Sequence, residues 1–168
     1  QAWLVKRRGS SDDAELAAIR DELAKPVVLE DAQFGSLTLD RALDWYAGSI
    51  DWLGREVRLT VTPDAVDEPQ AAVEVARALA KDAEAWQARI RDYAVQKLLG
   101  LKNESWLGDD EPPVDAETFQ SRMTLTTISV SEGGSWSFWH EDGGLFAGHS
   151  ILVSGDLESG PTDADIPG

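Results

Sequence analysis

Apolar and polar positions change period several times along the chain, and each change marks an element. In SSDDAELAAIRDELAK, Leu16, Ile19 and Leu23 recur at helical spacing. Ser10 or Ser11 supplies a cap, acids fill the first turn, and Pro26 stops the run. Residues 1–10 read as a poorly ordered lead. Residues 1–26 are thus expected to form an N-terminal lead and helix, and residues 27–168 a single α+β domain. Residues 27–29 read as a short strand. FGSLTLD alternates, with Leu37 and Leu39 on one side and Ser36, Thr38 and Asp40 on the other, which is the period of a half-buried strand. DWYAGSIDW puts Tyr46, Ile50 and Trp52 on one face. Leu53-Gly54-Arg55 turns the chain, and REVRLTVTP carries Val57, Leu59 and Val61 inward until Pro63.

From residue 68 to about 101 the period changes to steps of three and four, through Ala72, Val75, Ala76, Leu79, Ala83, Trp86, Ile90, Tyr93, Ala94 and Leu98. One helix of that length spans about 45 Å, longer than the strands it must cover, so a bend or overhang is expected. Pro112-Pro113 interrupts an acidic connector, and Asp115 caps a short helix, AETFQSR. Three strands follow. MTLTTISVS switches its inward phase between Leu125 and Ile128, the mark of a bulge. SWSFWHED follows a turn at Glu132-Gly133-Gly134, and GHSILVSGDLE follows Gly143-Gly144. The closing SGPTDADIPG reads as a tail. The expected fold is α+β: an antiparallel sheet of about six strands, built as two three-stranded meanders separated by a long and a short helix and preceded by the N-terminal helix.

Charge narrows the partners. Fifteen Lys and Arg stand against 31 Asp and Glu, a formal charge of −16 over 168 residues. Such a chain repels phosphate backbones and anionic membranes, so neither nucleic acid nor membrane is expected, whereas a basic protein partner is. No apolar run reaches the roughly 18 residues of a membrane helix. At the N-terminus the basic residues follow a short apolar patch, the reverse of a signal peptide. The absence of cysteine excludes disulfides and thiolate chemistry and suits a reducing compartment, so the expected location is cytoplasmic.

Candidate chemistry is sparse. Neither a G-x-x-x-x-G-K-[ST] nor a G-x-G-x-x-G motif occurs, and no cofactor is expected. Two histidines without cysteine are too few for a zinc site. Residues 163–168 begin like a calcium loop but meet Pro167 where a third acid belongs, so no metal is expected. His140, Glu141 and Asp142 point alternately along a strand end and read as a hairpin-end surface cluster. His149 is in phase with Ile151 and Val153 and points to the core side. Gly148-His149-Ser150 lacks the second glycine of a nucleophile elbow. If the chain is catalytic, the candidates are His149 with Asp163 or Asp165, brought together by a tail folded back over the last strand. Seven tryptophans are mostly core material. Trp136 and Trp139 have opposite strand parity, so one lies outside the core and is the candidate interface anchor.

Three strings, FGSLTLDRALDWYAGSIDWLG, YAVQKLLGLKNESWLGDDEPP and LFAGHSILVSGDLESGPTDADIPG, resemble an uncharacterised bacterial family filed as a domain of unknown function. The resemblance runs from Phe34 to Gly168. His149, Asp156, Asp163 and Asp165 lie inside the strings, and His140 lies outside them. The resemblance implies a bacterial origin and assigns no activity, substrate or cofactor. The expected function is a non-enzymatic acidic module that binds a protein partner, akin by class to bacterial immunity proteins. The alternative is a metal-dependent or acid/base hydrolase centred on His149.

Overall fold

The structure, a computed structural model, describes residues 14–168. The lead and the cap expected at Ser10 or Ser11 lie outside the described residues. One mixed sheet holds eight strands in sequential order: β1 (Val28–Asp31), β2 (Gly35–Asp40), β3 (Trp45–Trp52), β4 (Arg55–Thr62), β5 (Thr124–Ser131), β6 (Ser135–Glu141), β7 (Ser150–Asp156) and β8 (Gly160–Asp165). The described helices are α1 (Ala14–Ala24), α2 (Gln70–Lys81), α3 (Ala83–Ser105) and α4 (Ala116–Arg122).

The all-antiparallel sheet of six strands expected from the sequence is therefore incorrect. Neighbouring strands are antiparallel except β4 and β5, which run parallel with Leu59 opposite Ile128 and Val61 opposite Val130. Three helices connect these two strands, and a crossover of that kind carries the chain from the end of β4 back to the end of the sheet at which β4 began. The two meanders thus fuse through a parallel pair. The outer strands also exceed the expectation. Residues 160–165, read as tail, pair with β7. Pro161 and two exposed aspartates disguised them, and an edge strand tolerates both. Ala164 and Ile166 pack on the core from this edge, and Tyr93 donates a 2.5 Å hydrogen bond to the Thr162 carbonyl.

The single long helix is two. At Asp82 the backbone leaves helical geometry (φ −122°, ψ 40°), and its N–H reaches the Leu79 carbonyl. α2 lies over β4 and β5, and α3 over β7 and β8. Each helix buries one stripe, Ala72, Val75, Ala76 and Leu79 on α2 and Trp86, Ile90, Ala94 and Leu98 on α3. The two stripes face the same sheet, which is why the period ran through the break. Beneath them lie Tyr46, Ile50, Trp52, Val57, Leu59, Val61, Ile128, Val130, Trp136, Phe138, Ile151 and Val153. Edge-to-face contacts join Trp86 to Trp136 at 5.4 Å, Trp136 to Phe138 at 5.4 Å and Phe138 to Trp52 at 5.2 Å. Leu16 and Ile19 of α1 are exposed and take no part in this core.

Candidate functional site

Strand pairing puts residues of like parity on one face, and helices cover one face of this sheet. The opposite face is built from the alternate residues. Register aligns Thr38, Ala47, Thr60, Ser129, Ser137, Ser154 and Asp163 in one row across β2 to β8. Ser49, Arg58, Thr127, Trp139, Leu152 and Asp165 form the adjacent row. Small hydroxyl side chains keep the first row low. Thr60 Oγ1 and Ser129 Oγ are 2.8 Å apart, joining β4 to β5. The bulge expected between Leu125 and Ile128 lies at Leu125/Thr127, and Thr126 Oγ1 bonds the Trp139 carbonyl at 3.0 Å.

Two indoles stand on this floor. Trp45 and Trp139, both half-buried, line a groove of about 410 Å³ with Arg58, Thr60, Thr126, Thr127, Ser129 and Ser150. Although none of the described helices packed on the sheet lies on this side, Thr60 is 2% exposed. Trp45 Nε1 is buried and makes no hydrogen bond. Arg58 is the one titratable side chain of the lining. Further out on the same parity, Asp51, Glu56, Glu141, Asp163 and Asp165 are exposed and Asp40 is half-buried. Of the two tryptophans singled out from sequence, Trp136 is buried among core rings, and Trp139 is the one outside the core.

The histidines fall elsewhere. His149 precedes β7 on the helix-covered side, half-buried, with its ring edge-on to Trp106 at 5.4 Å. Trp106 also meets Phe146 at 5.6 Å, so the imidazole completes an aromatic stack after α3. The C-terminal segment does fold back: a Cβ on Gly168 would lie 2.8 Å from His149 Nδ1. The aspartates do not come with it. Asp165 is opposite Leu152 and Asp163 opposite Ser154, roughly 10 Å or more along the strand from His149 and on the other face. Among the described residues no cluster of three His, Cys, Asp or Glu is placed to hold a metal ion.

The surface cluster expected around His140 does not form. His140 is 1% exposed, paired with Leu125 and Ile151 on the core side. Burial is the main cause that lowers its pKa to about 4, assisted by the charge of Arg91, while backbone groups of Ile151 and Phe138 offset part of the effect. Its imidazole is therefore neutral. Asp142 is also buried, and its carboxylate accepts from the N–H groups of Phe146 (2.5 Å), Gly144 (3.1 Å) and Gly148 (3.1 Å). Burial alone would raise its pKa; these donors outweigh it and hold the group below the ordinary carboxylate value. Asp142 thus organises the loop before β7. Glu141 is exposed, and strand parity separates it from both neighbours.

Parity within one strand was enough to place Trp139. Trp45 and the hydroxyl row required the register between strands, which is not a local property. No helix among the described residues is long and apolar enough to cross a membrane. No curated protein and no solved structure matches the chain. The segment from the end of β1 to just past β8, which carries the groove, the Asp142 loop and the parallel junction, matches a bacterial family throughout. The chain belongs to the family described as "Uncharacterized protein conserved in bacteria (DUF2262)", which it matches over residues 31–166.

Proposed function

We propose that this chain is a non-enzymatic binding module that engages a basic protein partner through the uncovered face of its sheet. The observation that carries the reading is the groove between Trp45 and Trp139. It offers two aromatic walls, a hydroxyl floor and one cation, without any carboxylate, histidine or cysteine in its lining. General acid/base chemistry needs a titratable pair in reach of substrate, and this groove holds none. Indole anchors surrounded by polar groups are instead the usual anatomy of a binding hot spot. The acids beyond the groove, and the net charge of −16, steer a basic surface toward it. Arg58, unpaired within the groove, rejects partners that place a second cation there.

The test is capture from the source bacterium followed by titration of the purified captured protein. Trp139→Ala and Trp45→Ala are each expected to weaken its binding at least about 30-fold, the scale of a hot-spot truncation of ~2 kcal/mol. Association should slow steeply as salt rises. Equal affinity for wild type and both variants, or retention of a polysaccharide instead of a protein, contradicts the reading.

A further inference from the structure

A second site lies on the opposite side of the sheet. The hairpin of β3 and β4 turns through Leu53 and Gly54, both at positive φ, and its closing pair is Trp52 with Arg55. The hairpin end faces one turn of α3 that carries Gln87 and, four residues on, Arg91. Arg55, Gln87 and Arg91 line one cavity of about 150 Å³, with Trp52, Val57 and Leu125 as its apolar walls. We propose that this cavity binds a small oxyanion, held between the Arg55 and Arg91 guanidinium groups and the Gln87 amide.

Three observations converge. In a chain with twice as many acids as bases, neither arginine forms an ion pair among the described residues, whereas Arg20, Arg77, Lys102 and Arg122 do. Arg91 Nε is buried and makes no hydrogen bond, a costly arrangement for a charged group unless an acceptor arrives. Gln87 spends its Oε1 on Trp52 Nε1 at 2.9 Å, which turns its NH₂ donors away from that bond and leaves them for another acceptor. Guanidinium forks and an amide present donors alone, the complement of phosphate, sulfate or carboxylate oxygens.

Thermal unfolding of the full chain tests this, comparing phosphate and acetate with chloride at matched ionic strength. The midpoint is expected to climb saturably with the oxyanion, as mass action requires of a ligand bound by the folded state. A shift with phosphate alone assigns a phosphoryl group, and a shift with both anions assigns a general oxyanion site. Arg55→Gln and Arg91→Gln should each weaken the apparent affinity at least tenfold, while Arg41→Gln leaves it unchanged. Arg55 is exposed, so its variant reports even if Arg91→Gln does not fold. No shift beyond chloride, or an undiminished shift in Arg55→Gln, overturns the proposal.

Discussion

On the helix-covered side of β6, the imidazole of His140 is sealed between Leu125 and Ile151, and neither ring nitrogen makes a hydrogen bond. Its pKa falls from 6.5 to about 4, so protons bind the unfolded chain first. The sign follows: stability due to this group is fully present above pH 6.5 and is lost as pH falls toward 4, by roughly 3 kcal/mol in all. Asp31 and Asp142, whose carboxyls are held below the ordinary value, lose their contributions in a separate window, as pH falls below about 3.8. Urea unfolding from pH 7 to 4 should therefore show a slope that His140→Leu flattens. An unchanged slope would mean the imidazole is solvated. Gly155 makes a second prediction at this scale. A Cβ there would stand 2.0 Å from the Gly160 carbonyl oxygen of β8, a backbone atom with no room to retreat. At Gly48 the nearest atom is instead the end of the Leu37 side chain, at 2.4 Å. Gly155→Ala should cost about 2 kcal/mol or more, and Gly48→Ala less, by the same unfolding measurement.

Elements explain what was legible in the sequence and what was not. Alternation placed Tyr46, Ile50 and Trp52 of β3 and Val57, Leu59 and Val61 of β4 inward, because each strand is its own template. Asp115 capped α4 as its position required, accepting from the Thr118 N–H at 2.7 Å. The parallel pairing of β4 with β5 was hidden, since it depends on where three helices return the chain. The burial of His140 was hidden for another reason. Its parity with Trp136 and Phe138 was plain, but a polar side chain near a turn argues for solvent. Lys102 repeats the lesson one helix away. It extends the stripe of Trp86, Ile90, Ala94 and Leu98 by one more step of four, and it is 1% exposed. Its ammonium donates to the Trp106 carbonyl and to Glu111, both at 2.7 Å, fastening the end of α3 to the acidic connector. The Lys102 hydrogen bond is the leading cause that lowers the Glu111 pKa. Glu111→Ala strands a buried cation, whereas Lys102→Met replaces it with an apolar chain of similar length. Glu111→Ala should thus melt at the lower temperature, and the reverse order would contradict the pairing. Asp142→Ala removes the acceptor of three backbone N–H groups and should cost about 3 kcal/mol, with Asp142→Asn costing less.

At the scale of the whole molecule, the sheet has two unlike sides. One carries the apolar core beneath α2 and α3, and the other presents a hydroxyl floor, two indoles and peripheral acids. Self-repulsion at −16 opposes the compact state, so added salt should raise the melting temperature while it slows capture of a basic partner. These opposite responses separate the chain's own stability from its recognition. The central claim is that the uncovered face is where the partner docks. Its most direct measurement is site-specific photo-crosslinking in the source bacterium, with the reactive side chain at Ser137 on the open face or at Gln96 on the exposed side of α3. The account predicts a discrete adduct to a basic protein from position 137 and none from 96. Adducts from 96 alone, or from neither position, would contradict it.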